Sequence, residues 1–357
     1  MTAPVSRDGI QEESDGVLLP ADWRGGAKTP LDADTAFNGF ISTNVVFALA
    51  QLGLFTWFDD NGRLDIPEYC RAGQLDETVL RRLLSAAETF GYLVLTGDTV
   101  APTPAWDELR RKIGFFTWGV GGYHDVFANA ASLARGERVF GTDVLRDEGM
   151  VALGSAQADL ALMRHILDEQ IAALDFAVLA DLGSGISERV SRLVKSRPGA
   201  RGLGLDISAS ATRLAAGTVA RHGLTDRVQP ICADVLDVLF RGRRIEGADE
   251  VDVAMSFMFL HDLLVDPGTR GDVIPALRKA FPNAHTFLLG DTTVRPRGEG
   301  DTLPVFSSGF ELAHALMGVP IYTREEYENL FREGGLHLRR TIPFGAPHTY
   351  LFVLEAQ

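Results

Sequence analysis

The chain has 357 residues, of which 46% are hydrophobic, and a formal net charge of −14. Its length and apolar content are sufficient for two domains with packed cores. The acidic balance excludes a protein that binds nucleic acid through a broad basic face, because phosphate contacts supply most of that affinity.

The first 30 residues are polar and contain no apolar stretch of the kind found in signal peptides. The rest of the sequence has no run of about 18 uncharged apolar residues. Cys70 and Cys232 lie far apart and do not indicate a disulfide framework. We therefore expect a soluble cytoplasmic protein in which residues 1–30 form a flexible arm.

Residues 31–149 predict a mostly helical domain with a winged-helix pattern. Residues 36–58 are apolar on nearly all sides, which predicts a helix that ends at Gly53 and is covered by a second subunit. Residues 75–90 carry one apolar stripe, and residues 92–103 read as two short strands around a Gly-Asp turn. The second helix mixes acidic and basic side chains, so its charge does not favour DNA binding.

Residues 114–150 mix aromatic residues, glycines and charges without one clear period, as is typical of a pocket wall. Arg146 either binds a carboxylate through both of its terminal nitrogens or pairs at the surface with Asp143 or Asp147. Three aromatic side chains are candidates either for an apolar substrate site or for ordinary core: Trp118, Tyr123 and Phe127.

A predicted long helix over residues 150–174 leads into the sequence VLADLGSGIS at residues 178–187. This sequence predicts a buried strand, a glycine turn and the start of a helix. Gly183 and Gly185 allow the backbone to approach a ligand closely at the carboxyl end of the strand. We expect a nucleotide-like ligand at this turn.

Two further strand-like runs end in acidic residues, Asp206 and Asp234. Asp206 lies 21 residues after Gly185, a spacing at which a carboxylate binds ribose hydroxyls. Together with Asp181, these residues place acids at the ends of successive strands along one edge of a doubly wound parallel sheet.

This arrangement resembles the class I S-adenosylmethionine-dependent methyltransferases, from residue 176 to the C-terminus. The family usually has a third glycine where this chain has Ser187, which argues against a dinucleotide site. The resemblance implies an α/β fold with a doubly wound, Rossmann-like sheet over residues 150–357, closed by an antiparallel hairpin. The cofactor contacts assigned are Asp181, Gly183 and Gly185 at the methionine part, Asp206 at the ribose and Asp234 at the adenine, with Ser256 and Met258 nearby.

The N-terminal pattern resembles the winged-helix-like dimerisation domain that precedes the catalytic domain in O-methyltransferases of the plant type. That family is usually homodimeric, so the resemblance implies a homodimer. It also implies a small-molecule substrate, and the acidic charge and the lack of a long apolar run already argue against nucleic acid or a membrane as a partner.

The fourth and fifth strands are predicted at residues 252–256 and 286–290. The chemistry is expected after the fourth strand, because the carboxyl ends of parallel strands form the cleft. That segment, residues 255–266, contains His261 and Asp262. His261 is either a general base that takes a proton from a substrate hydroxyl or a ligand of a metal ion.

A second histidine distinguishes these two hypotheses. Residues 304–317 form a helical pattern in the insertion after the fifth strand, and such a helix typically caps the substrate pocket. A histidine on its apolar face is either a core residue or a ligand. The residues that share this face are Phe306, Phe310, His314 and Met317, of which Phe306 and Phe310 are predicted substrate contacts.

Met258 and the His-Asp pair, followed 53 residues later by HALMG, resemble the 2-oxo acid C-methyltransferases of antibiotic biosynthesis. In that family, histidines matching His261 and His314 bind a non-haem iron or zinc ion, which chelates the keto and carboxylate oxygens of the substrate. Asp262 would organise water or orient a ligand. Arg146 and Trp118 fall near positions that line the substrate site.

The implied reaction passes through a metal-chelated enolate whose C3 attacks the methyl group, giving a precursor of a β-methyl amino acid. The resemblance assigns catalysis to His261, Asp262 and Arg146, whereas His348, in the final hairpin turn, is expected to be a loop residue rather than a further ligand. An O-methyltransferase with His261 as general base is the alternative. A third hypothesis is a methyltransferase-like protein that binds the cofactor only for regulation.

Overall fold

The computed structural model describes residues 31–295 and 307–356. The side chains of Asp32, Asp65 and Asp76 accept hydrogen bonds from backbone N–H groups three residues later, so three helices begin at aspartate N-caps. The N-terminal elements are α1 (Ala33–Gln51), α2 (Leu54–Asn61), β1 (Leu64–Asp65), α3 (Ile66–Gly73), α4 (Glu77–Thr89), β2 (Leu93–Thr96), β3 (Thr99–Pro102) and α5 (Pro104–Phe116).

The helix predicted over residues 36–58 is divided at Gly53 into α1 and α2. Gly53 has φ of 83°, a left-handed conformation that ends a helix and that glycine adopts at low cost. Strands β2 and β3 pair in an antiparallel hairpin, as the sequence predicts for the wing. Apolar side chains of α1, α4 and this hairpin, including Leu49, Leu84 and Leu93, share one core.

A helical segment connects this unit to the large sheet and contains two π-helical stretches. One, Thr117–Gly122, follows α5 directly. The other, Asp159–Met163, interrupts the continuous helix predicted over residues 150–174. Such stretches are rare and frequently lie at functional sites. The α-helices here are α6 (His124–Ala128), α7 (Ala130–Ala134), α8 (Glu148–Ala158) and α9 (Arg164–Ala172).

The rest of the chain forms a seven-stranded sheet flanked by helices. Its strands are β4 (Val178–Leu182), β5 (Arg201–Asp206), β6 (Val228–Cys232), β7 (Val253–Phe257), β8 (Thr286–Thr292), β9 (Leu336–Pro343) and β10 (Thr349–Ala356). The helices are α10 (Glu188–Lys195), α11 (Ala209–His222), α12 (Val235–Phe240), α13 (Leu260–Leu263), α14 (Val273–Ala280), α15 (Ser307–Met317) and α16 (Arg324–Glu333).

The strand order is β6-β5-β4-β7-β8-β10-β9, and β10 runs in the opposite direction to the other six strands of this sheet. Every residue of β4, β7 and β8 is buried, because helices cover both faces of the sheet. This architecture confirms the predicted doubly wound α/β sheet closed by an antiparallel hairpin. The chain reverses its direction of winding between β4 and β7, which is where such sheets bind ligands.

Within the described ranges, no single helix is long and apolar enough to cross a membrane. Helices α1 and α2 satisfy that criterion only as a pair, bent by 63°.

Candidate active site

A cavity of about 360 Å³ lies at the carboxyl ends of β4, β5, β6 and β7. The loops after these strands form one side of it, and α8, α15 and the two π-helical stretches form the other. This volume is within the range of pockets that bind small molecules.

The glycine turn after β4 presents its backbone to the cavity. Gly183 and Gly185 both line the wall and have left-handed φ values of 70° and 54°. A Cβ atom at position 183 would lie 2.5 Å from Cγ of Phe259, so a side chain there would displace that ring. Ser187, which replaces the usual third glycine, also has a positive φ of 55°. The turn thus keeps the shape that the glycines predict.

Asp206 lies in the cavity wall at the end of β5. Its two carboxylate oxygens accept hydrogen bonds of 2.8 Å from the backbone N–H groups of Gly185 and Ser208. Burial raises the pKa of Asp206, and the nearby Glu148 adds to this effect, while the two N–H donors oppose it. Asp234 also lines the wall. The structure therefore brings two of the predicted cofactor carboxylates to one cavity.

Asp181 and Ser256, two further residues of the predicted cofactor site, are not among the residues that line the cavity. Both belong to central strands whose side chains point into the helix layers on either face, and both are fully buried. Burial raises the pKa of Asp181 to about 7, although Arg189 opposes the shift. Met258, directly after β7, does line the cavity.

His261 is held by a carboxylate that the sequence analysis missed. Its Nδ1 lies 2.8 Å and 3.0 Å from the two oxygens of Asp291, and its backbone N–H donates to the same carboxylate. Asp262, the predicted orienting residue, lies instead 3.9 Å from Nε2. Burial favours the neutral ring, but Asp291 and Asp262 outweigh it and raise the pKa of His261.

His314 lies on α15, against His261. The two ring centroids are 4.5 Å apart with perpendicular planes, and both rings line the cavity. Nδ1 of His314 donates to the carbonyl oxygen of Phe310 at 2.7 Å. Burial and the charge of His261 lower the pKa of His314 to about 2, so this ring is neutral. Each histidine thus uses Nδ1 within the protein and leaves Nε2 as its remaining ligand or base atom.

Arg146 points into the same cavity rather than to the surface. Its guanidinium donates to the hydroxyl of Tyr123 at 3.0 Å and lies 3.9 Å from the sulfur of Met317. Within the described ranges no carboxylate pairs with it within 4.0 Å. Trp118 and Phe310 complete this part of the wall. The predicted substrate residue Phe306 lies outside the described residues.

Asp291 could have been predicted, because an acidic residue directly after a strand-like run is the signal that identifies Asp206 and Asp234. Asp291 follows the fifth strand-like run directly, just as Asp206 and Asp234 close earlier ones. Asp159 and Arg189, which also line the cavity, gave no such signal because they lie within helical patterns.

No protein-family model matches the chain. The methyltransferase ungE' of Aspergillus campestris is 26% identical over 309 residues, which cover 84% of this chain and 89% of that protein. The 2-ketoarginine methyltransferase of Streptomyces arginensis is 27% identical over 255 residues, 70% of each chain.

Solved structures show the same fold at low identity. The mitomycin 7-O-methyltransferase MmcR aligns with a TM-score of 0.60 and 18% identity over 91% of this chain and 96% of that one. PigF with SAH aligns with a TM-score of 0.64 and 19% identity over 91% and 100%. These structures show the fold alone, and the two named relatives confirm the predicted class of enzyme, a methyltransferase.

Proposed function

We propose that this enzyme methylates C3 of a 2-oxo acid and that His261 and His314 hold a non-haem iron or zinc ion for the reaction. The observation that carries this proposal is the buried histidine pair, in which each Nδ1–H is donated to a protein oxygen. Anchoring one ring nitrogen in this way is typical of metal-ligating histidines. The similarity to a 2-ketoarginine methyltransferase supports the substrate class.

The side chains at the pair suit a metal that also binds its substrate. In the described part of the chain, no group of three or more His, Cys, Asp or Glu side chains is placed so that it could hold a metal ion, so the histidine pair has no third protein ligand there. Two imidazole ligands leave several positions for the keto and carboxylate oxygens of a 2-oxo acid. When bound, such an ion acts as a Lewis acid and makes the C3 proton more acidic.

The methyl donor fits the other end of the cavity. We assign the ribose to Asp206 and the adenine region to Asp234, with Gly183, Gly185 and Met258 against the remainder of S-adenosylmethionine. The sulfonium of this cofactor supplies an electrophilic methyl group. Because the histidine pair lines the same cavity, substrate and methyl donor meet within one enclosed space.

The remaining polar residues then have distinct roles at the substrate. Asp291 fixes the ring of His261. Asp262 lines the cavity and is a carboxylate close to His261, which suits it to accept the C3 proton. Arg146 places a buried positive charge beside an anionic substrate, and Trp118 helps to exclude water.

We also propose that the protein is a homodimer that associates through its N-terminal domain, residues 31–149. Residues 150–357 are then the catalytic domain, and the enzyme acts in secondary metabolism. Phe37 and Phe40 at the start of α1 are 65% and 57% exposed, and neighbouring apolar side chains of this size favour coverage by a second subunit.

The alternative is O-methylation with His261 as general base. The buried His261–Asp291 pair favours it, because a carboxylate that orients an imidazole and raises its pKa is the arrangement a base requires. In that case His314 only lines the substrate pocket.

Deuterium exchange separates the two functions before any methyl transfer. The protein, loaded with iron or zinc, is incubated in D₂O with phenylpyruvate or a branched aliphatic 2-oxo acid, and incorporation at C3 is followed by NMR. We expect the enzyme-dependent exchange at C3 to stop when a chelating agent removes the metal and to return when the metal is restored. A 3-methyl-2-oxo acid should form once S-adenosylmethionine is added. Metal-independent methylation of a phenol, without exchange at C3, would instead establish the alternative.

A further inference from the structure

A second set of charged side chains lies in the cavity wall, beside the glycine turn. Asp159, in the π-helical stretch Asp159–Met163, is 1% exposed. Its Oδ1 accepts a hydrogen bond of 3.2 Å from Nε of Arg189. Its Oδ2 has no hydrogen-bond partner among the described residues and lies 3.8 Å from Arg192. A buried carboxylate oxygen without a hydrogen-bond donor is uncommon, and in a residue of a cavity wall it can accept a hydrogen bond from a bound ligand.

Arg189 is held in a fixed position next to this carboxylate. Its guanidinium lies 4.0 Å above the ring of Phe257 and 3.7 Å from Oδ1 of Asp181. Its side chain is 12% exposed and lines the same cavity as Asp159. The wall therefore offers one fixed acceptor and one fixed donor of opposite charge, side by side.

An α-amino acid group has the complementary arrangement, with an ammonium and a carboxylate on one carbon. It carries no net charge, so its burial against an Asp–Arg pair adds no uncompensated charge to the wall. The glycine turn that precedes Arg189 in the chain opens onto the same cavity.

We infer that Asp159 and Arg189 bind the amino-acid end of the methyl donor, with Asp159 accepting hydrogen bonds from its ammonium group and Arg189 donating to its carboxylate. This inference rests on the proposed S-adenosylmethionine site and assigns to it two residues outside the predicted set. Asp159 and Arg189 fix the amino-acid end of S-adenosylmethionine, so they set how the sulfonium methyl group is presented to His261 and His314.

Three adenosine thioethers test the assignment in calorimetric titrations. S-adenosylhomocysteine carries both charged groups, its decarboxylated form lacks only the carboxylate, and 5′-methylthioadenosine lacks both. With the unaltered protein we expect affinity to fall at each step of this series, by roughly 10- to 100-fold for each charged group lost.

Substitutions then assign each group to a residue. Asp159→Asn is expected to weaken S-adenosylhomocysteine roughly 10- to 100-fold and to leave 5′-methylthioadenosine unchanged. Arg189→Gln is expected to weaken S-adenosylhomocysteine but not its decarboxylated form. Asp168→Asn is the matched control, because Asp168 also pairs with Arg192 but is not in the cavity wall, and it should alter none of the three.

The outcomes distinguish this inference from the proposal beneath it. If the unaltered protein binds all three ligands equally, or if Asp159→Asn weakens all three equally, the pair is only structural and the inference is overturned. If the unaltered protein binds none of them, the methyl-donor site itself is wrong and the inference fails with it. Because the ligand series needs no substitution, poor folding of a variant does not prevent the test.

Discussion

Asp291→Asn tests the geometry of the histidine that the proposed chemistry depends on. The carboxylate is fully buried and receives the ring Nδ1–H and the backbone N–H of His261, as well as the backbone N–H of Thr292. An asparagine of the same shape keeps one acceptor oxygen and turns an NH₂ group towards a donor. His261 then loses its orienting partner and the charge that raises its pKa.

The expected loss follows from these contacts. Hydrogen bonds to a charged group contribute about 1.5–3 kcal/mol, so the unfolding free energy of metal-free protein should fall by about that amount near pH 6. The folded pKa of His261 is raised above its ordinary value of 6.5, so the pair stabilises the fold fully below that pH. This contribution disappears as the pH rises through the folded pKa, so the difference between the proteins should shrink towards pH 9.

Urea unfolding at several pH values measures this difference, and metal titration gives a second measurement. Loss of a carboxylate that orients a ligand typically reduces metal affinity or activity about 10- to 100-fold. Asp262→Asn should give a smaller difference of the same sign, since Asp262 also raises the pKa of His261 but lies 3.9 Å from the other ring nitrogen. A pH-independent difference in unfolding free energy between Asp291→Asn and the unaltered protein would refute the charged pair.

Asp206→Ala should weaken S-adenosylmethionine binding by about 1.5–3 kcal/mol through lost ribose contacts, and unchanged affinity in calorimetry would remove the cofactor assignment. The pKa of His314 is lowered to about 2 in the fold, so the metal-free protein loses stability as pH falls below 6.5; His314→Gln should flatten that loss in denaturant unfolding, and equal slopes would contradict a neutral buried ring. Replacing Phe37 and Phe40 by serine should convert a dimer to monomer in sedimentation, whereas unaltered protein that is already monomeric would exclude the proposed interface.

The sequence predicts the location of a site residue well when that residue lies at the carboxyl end of a parallel strand. Parallel strands bring their carboxyl ends to one edge, so the glycine turn, Asp206 and Asp234 could be placed together from order alone. The hairpin of β9 and β10 was predictable because two strand-like runs are joined by a short connection and the family resemblance implies a closing antiparallel hairpin. His261 was located by the same rule, since it follows the fourth strand.

The remaining features depend on irregular helix geometry or on contacts between residues that are far apart in the chain. Asp181 is predicted as a cofactor ligand from its place at the end of a strand, whereas its carboxylate is fully buried and is not among the groups that line the cavity. The π-helical stretch that turns Asp159 to the cavity interrupts a sequence with ordinary helical periodicity. Asp262 stands next to His261 in the chain, yet the ring is held by Asp291, thirty residues away.

Metal content of purified His261→Ala and His314→Ala is the most direct measurement of the proposed reaction. The unaltered protein should hold one equivalent of iron or zinc. Each single variant should lose the metal and the methylation of a 2-oxo acid together, and the double variant should be no worse than either. The exposed His337→Ala serves as the control and should retain both. A His314→Ala protein that contains no metal and methylates at the normal rate would contradict the account and favour O-methylation with His261 as base.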